Sequence, residues 1–147
     1  MSLPKKQVLY IALELTEESQ NRLKNWFEND MMPKIQTMRR DWQNYTTYCH
    51  HMTIAFYTEM TQKTYTWCVS HDGETFKITA KQLGISNKAM AVKVDTLCLS
   101  ENSLKHITLA TNKDTNGKPV DSNNIIEWKD INYIELEGIV TFYKKYE

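Results

Sequence analysis

The sequence predicts an α+β domain, with several strands and two helices near the N-terminus, and three observations carry that reading. Residues Val8–Leu15 alternate cleanly, with Leu9, Ile11, Leu13 and Leu15 on one face and Val8, Tyr10, Ala12 and Glu14 on the other, as a strand requires. Two later stretches repeat one pattern: His51-Met52-Thr53-Ile54-Ala55 and His106-Ile107-Thr108-Leu109-Ala110. Residues 131–143 close the chain as a long strand, with Ile134, Leu136, Val140 and Phe142 on one face and Glu135 and Glu137 on the other.

Between these landmarks the elements follow in order. Thr16 followed by Glu17 and Glu18 starts a helix, because the hydroxyl caps free amides and the carboxylates suit the positive end of the dipole. Leu23, Trp26, Phe27 and Met31 mark its buried face. After Pro33, the spacing of Ile35, Met38, Trp42 and Tyr45 predicts a second helix whose aromatics belong to the core. Residues 51–57 form the first motif strand, and the polar stretch 58–65 is a loop or short helix. Asp72-Gly73 predicts a hairpin turn between strands at 65–69 and 75–83. Met90, Val92 and Val94 mark another strand, residues 106–110 the second motif strand, and residues 112–124, rich in Asn, Asp, Gly and Lys, a loop beside it.

Composition sets the bounds. A chain of 147 residues makes one compact domain, residues 1–147, and leaves no comfortable room for a second. With 18 basic and 18 acidic residues the net charge is zero, so no global field draws in duplex DNA, and a small or short anionic partner fits better. Cys49, Cys68 and Cys98 are odd in number and far apart, which argues for free thiols in a reducing compartment. No stretch has the signature of a signal peptide or a membrane span. The expectation is a cytoplasmic protein, monomeric and without membrane contact.

The paired motifs point to the function. In a strand, His and Thr two residues apart share one face while the intervening apolar residues share the other. His51 and Thr53, and likewise His106 and Thr108, would face a cleft, with Ala55 and Ala110 leaving room beside them. Chance recurrence of His-apolar-Thr-apolar at two of 4 histidines has a probability on the order of a few in a thousand. Two imidazoles can act as base and acid in one displacement, and threonine hydroxyls can donate to the oxygens of a phosphorus centre. A metal site would need three or four converging ligands, and none sits at such spacing to either motif; His50 adjoins His51 but should point to the opposite face. Cys68 and His71 make only an isolated C-x-x-H pair.

These motifs resemble those of the two-histidine (2H) phosphoesterases, whose defining feature is a pair of His-apolar-Thr/Ser-apolar strands in the two halves of a small bilobal α+β fold. The resemblance covers most of the chain in order. It implies antiparallel sheets around a central cleft with helices packed outside, His51 and His106 as the acid-base pair, and Thr53 and Thr108 as phosphate-binding hydroxyls. It also implies a metal-independent phosphodiesterase, without cofactor, acting on a 2′,3′-cyclic phosphate, a 2′-5′ oligonucleotide, an RNA end or a cyclic oligonucleotide. Residues 117–123 are similar to the corresponding region of RNA-ligase-associated cyclic phosphodiesterase domains. The small size, with Tyr10 on the cleft face, is similar to phage anti-CBASS nucleases, which implies base contact by Tyr10. Glu135 and Glu137 are candidates to orient a histidine or contact a sugar hydroxyl, and Arg39, Arg40, Lys118, Lys144 and Lys145 to hold further phosphates. The alternative is a module that binds a nucleotide or RNA in the same cleft without cleaving it. A structural protein with accidental motifs would instead place His51 and His106 on unrelated surfaces.

Overall fold

The computed structural model describes residues 2–145. Seven strands, β1 (Val8–Leu15), β2 (Tyr45–Thr47), β3 (His51–Phe56), β4 (Thr75–Ile85), β5 (Ala89–Asp95), β6 (His106–Asn112) and β7 (Trp128–Lys144), form one antiparallel sheet in the order β2-β6-β3-β1-β7-β4-β5. Because β5 also pairs with β6, six of the strands close into a barrel, which removes the free edges an open sheet would expose. The α+β class is as expected, but the strands belong to one continuous closed sheet and not to separate sheets.

Burial shows why the apolar alternation folds this way. Ile11, Leu13, Met52, Ile54, Ile78, Val92, Ile107 and Leu109 are all fully buried. Each contributes on the order of 2 kcal/mol of apolar burial. Both apolar members of each motif are among them, so both motif strands turn the expected face to the core.

The helices depart from expectation in two places. Helix α1 (Glu17–Asn25) starts where Thr16 accepts the Ser19 amide at 3.2 Å, then widens into a π-helical stretch (Trp26–Met31) and continues as α2 (Met32–Met38). One arm replaces two separate helices, and the wide turn accommodates the missing N–H of Pro33. Arg39 is extended and ends the arm, so Trp42 falls in a short 3-10 turn and Tyr45 in β2, although Trp42 is fully buried as its sequence spacing implied. The second departure is α3 (Gln62–Ser70), capped by Thr61: a short helix was one of two readings for 58–65, but it runs on through 65–69, where the sequence suggested a strand. Its β-branched and aromatic residues yield to packing: Thr64 and Cys68, four apart, bury one helical face. Asp72-Gly73 is then a helix-to-strand turn, with Gly73 at a φ of 78°.

Candidate active site

The site lies over the thinnest seam of the sheet. Strands β3 and β6 share one register pair, Met52 with Ile107. Extending that register by one residue in each direction sets His51 opposite Thr108 and Thr53 opposite His106. All four polar side chains therefore stand on one face as a quadrilateral, with the two histidines on its diagonal, where strand geometry sets neighbours roughly 7–8 Å apart. They line a common cleft of about 510 Å³ together with Tyr48, His50 and, from the flanking loops, Asn102 and Asn123. Ala55 and Ala110 are buried beside it and are not part of its lining.

A bulge explains the presence of His50, which simple alternation sends to the other face. Thr47 pairs with Ala110 and Met52 with Ile107, so Tyr48–His51 occupy the span that Thr108 and Leu109 cover on β6. The excess is absorbed at Cys49, which takes a left-handed φ of 52°. Strand alternation is broken there, and His50 turns into the cleft beside His51, with its Nδ1 2.9 Å from the Nδ1 of His51. The imidazole of His106 is tied differently: its Nδ1–H donates to the Leu104 carbonyl at 2.9 Å. In both rings the engagement of Nδ1 leaves Nε2 as the nitrogen available to the cleft.

The electrostatic setting keeps both imidazoles neutral near pH 7. Burial pushes His51 down to about 4, helped by the neighbouring His50 and His106 and opposed by the carboxylate of Glu14. Burial also lowers His106, while its bond to the Leu104 carbonyl acts in the opposite direction.

The loops on either side are built to hold their side chains. Before β6, Ser100 donates to the Thr53 carbonyl at 2.9 Å and the Glu101 amide to the Ile54 carbonyl at 2.7 Å, which pins Asn102 beside β3. After β6, the chain folds back through Gly117, whose amide donates to the Asn112 carbonyl at 2.8 Å. A Cβ on Gly117 would stand 2.1 Å from the Lys88 carbonyl oxygen, so only glycine allows so close a return. The 3-10 segment Pro119–Asn124 is thereby seated against the site, and its buried Ser122 hydroxyl lies 2.9 Å from that of Thr108.

The other predicted site residues are distributed unevenly. Tyr10 faces the site region: its ring lies 5.6 Å from that of His51 and stacks on Tyr143 at 4.3 Å, but it is outside the cleft lining. Glu135 and Glu137 are not brought to the histidines. Both are exposed on β7 beside α1, where the Glu135 carbonyl accepts from Arg22 and the Glu137 amide donates to the Ser19 hydroxyl. Their alternation against Leu136 was legible, but that no residue of β7 lines the cleft was not. Sequence reasoning missed the cleft role of His50 and the contact of Ser122; the bulge that brings in the first has no local sequence signal, and the second sits within the quoted 117–123 stretch.

The sequence matches no protein-family model and no curated protein. Its fold is shared. The crystal structure of a fungal RNA kinase superposes with a TM-score of 0.58 at 14% identity, covering 97% of this chain and 45% of that one. The likeness is one of fold, and this chain spans less than half of that protein's length. Among the described residues, no helix is long and apolar enough to cross a membrane, and no three His, Cys, Asp or Glu side chains are grouped so as to hold a metal ion.

Proposed function

We propose that the protein is a phosphodiesterase of the 2H type, cleaving a nucleotide or RNA phosphodiester by acid-base catalysis with His51 and His106, without a metal. The observation that carries this reading is the quadrilateral: two imidazoles and two threonine hydroxyls on one face of adjacent strands, lining one cleft. One Nε2 takes the proton from the attacking water as its oxygen bonds to phosphorus. The other Nε2, protonated, gives its proton to the departing ribose oxygen, so one proton enters the imidazole pair and one leaves. Both rings are neutral in the free protein, and the negative charge of an incoming phosphodiester favours the proton one of them must acquire. Thr53 and Thr108 donate to the non-bridging oxygens as charge gathers there.

The lining contains no Lys or Arg and does contain Glu59. A singly charged phosphodiester suits such a cleft better than a chain of phosphates. The fold shared with part of a fungal RNA kinase accords with an RNA or nucleotide substrate. In this reading Tyr10, whose ring stacks on Tyr143 and lies 5.6 Å from that of His51, contacts a base extending beyond the cleft.

The test is turnover in EDTA of 2′,3′-cyclic nucleotides, 2′-5′ oligoadenylate and cyclic di- and trinucleotides, with His51→Ala and His106→Ala alongside. Cleavage of at least one substrate class, reduced about 10²- to 10⁴-fold in each variant, is expected. Activity lost in EDTA, or retained in both variants, overturns the mechanism; tight binding without turnover would assign the cleft to recognition alone.

A further inference from the structure

The contact between the two adjacent histidines fixes where a proton resides. Their Nδ1 atoms are 2.9 Å apart, and between two neutral rings at that distance a single proton bridges them. One ring donates and the other accepts, and the choice decides what His51 presents to the cleft. If His51 donates, its Nε2 is a bare lone pair. If His50 donates, the Nε2 of His51 carries hydrogen.

The far side of His50 breaks the tie. Its Nε2 lies 3.9 Å from a carboxylate oxygen of Glu14, and the Tyr143 hydroxyl donates to the same oxygen and orients that carboxylate. Glu14 is the register partner of His51 on β1, so its placement follows from the sheet and not from a flexible loop. A carboxylate next to Nε2 favours the N–H at that nitrogen. A neutral imidazole has only one N–H, so Nδ1 of His50 is then the acceptor and the bridging proton belongs to His51. The other groups around the pair are Tyr10, whose ring packs on His51, and His106 across the cleft; neither is hydrogen-bonded to His50.

We propose that His50 is a positioning residue which, with Glu14 behind it, holds His51 in the Nδ1–H tautomer so that the Nε2 lone pair faces the substrate. His106 reaches the same tautomer by another route, donating from Nδ1 to the Leu104 carbonyl. The two motif histidines thus present equivalent nitrogens although only one has a backbone carbonyl behind it. This inference adds to the proposed phosphodiesterase reading a residue outside both motifs.

Ring ¹⁵N NMR of the free protein at about pH 8, where unperturbed imidazoles are neutral, reads the tautomer directly and needs no substrate. The expected spectrum has His51 protonated at Nδ1 and bare at Nε2. His50→Ala should turn His51 into a mixture of tautomers, His50→Asn should restore the Nδ1–H form because its side-chain oxygen can accept, and Glu14→Gln should weaken the preference. In turnover, His50→Ala should lower kcat roughly 10- to 100-fold with KM within about twofold, and His50→Asn should recover most of it. A His51 Nε2–H in the unmodified protein, an unchanged His51 spectrum in His50→Ala, or a loss confined to KM would overturn the proposal. Were no phosphodiester cleaved at all, the spectra would still decide the tautomer, so the two readings fail separately.

Discussion

The two motif strands share a five-residue pattern but rest on different supports. On β6, the backbone and a return loop provide them: the Leu104 carbonyl holds His106, and Ser122 meets the Thr108 hydroxyl. On β3, the supports are ionisable side chains from neighbouring elements: His50 meets His51, and Glu14 and Tyr143 lie behind it. Ser100 reaches the carbonyl of Thr53, and among the described residues the Thr53 hydroxyl has no hydrogen-bond partner comparable to Ser122. One half is fixed by groups that do not titrate, and the other by ionisable side chains. A symmetric motif in sequence therefore produces an asymmetric site, whose halves should respond differently to the same perturbation.

The largest expected difference is between the threonines. Val is close in shape to Thr and removes only the hydroxyl, so Thr53→Val and Thr108→Val each delete one donor to the phosphate oxygens. Loss of one such donor costs about 10²- to 10³-fold in kcat. Thr108→Val should lie at the upper end, since its hydroxyl is held in place and also leaves Ser122 buried without its partner, while Thr53→Val should lie at the lower end. Parallel kcat measurements decide this, and equal losses would mean that the supports do not matter.

Next in size is the pH dependence of stability. His51 sits at about 4 in the folded protein against about 6.5 unfolded, so the unfolded chain binds more protons between those values. Stability is therefore unaffected above about pH 6.5 and falls as pH drops towards 4, by up to about 3 kcal/mol. His51→Gln should remove this fall, so urea midpoints of variant and parent should converge or cross between pH 7 and 4.5. His106→Gln should act in the same direction but less, because its depression lacks the added repulsion of an adjacent imidazole. Equal flattening by the two variants would erase the electrostatic asymmetry.

How much of this was legible beforehand depended on whether the information was local. The bounds of β1 were readable to the residue because alternation and the Thr16 cap are local signals, but a register shift between Val8 and Tyr10 buries Val8 and leaves Leu9 half-buried, against the alternation. The inward and outward faces of His51–Ile54 and His106–Leu109 were readable for the same reason, and with them the grouping of His51, Thr53, His106 and Thr108, whereas Ala55 and Ala110 are buried in the core where the registers shift. α3 was misread because its β-branched residues suggest a strand when tertiary burial of Thr64 and Cys68 makes a helix. Glu135 and Glu137 were read correctly as outward, but that their face of β7 lies beside α1 and away from the histidines depends on closure of the barrel. His50 escaped because the bulge at Cys49 arises from a register difference against β6, some 60 residues away in the chain.

The smallest expected effect concerns Ser122, and it separates holding a hydroxyl from supplying one. Ser122→Ala removes the partner 2.9 Å from Thr108 and leaves the Thr108 hydroxyl itself intact. If the return loop serves to orient that hydroxyl, kcat should fall about three- to tenfold, equivalent to about 1 kcal/mol, the usual net value of one neutral hydrogen bond. The loss should vanish in a Thr108→Val background, where no hydroxyl remains to orient, and persist in full with Thr53→Val, which lies on the other strand. A loss that adds to both backgrounds would mean that Ser122 only stabilises the Pro119–Asn124 segment that Gly117 seats against the site. In that case the β6 half would owe its order to chain geometry alone, and the contrast with the β3 half, supported by ionisable side chains, would be greater than the hydrogen bonds indicate.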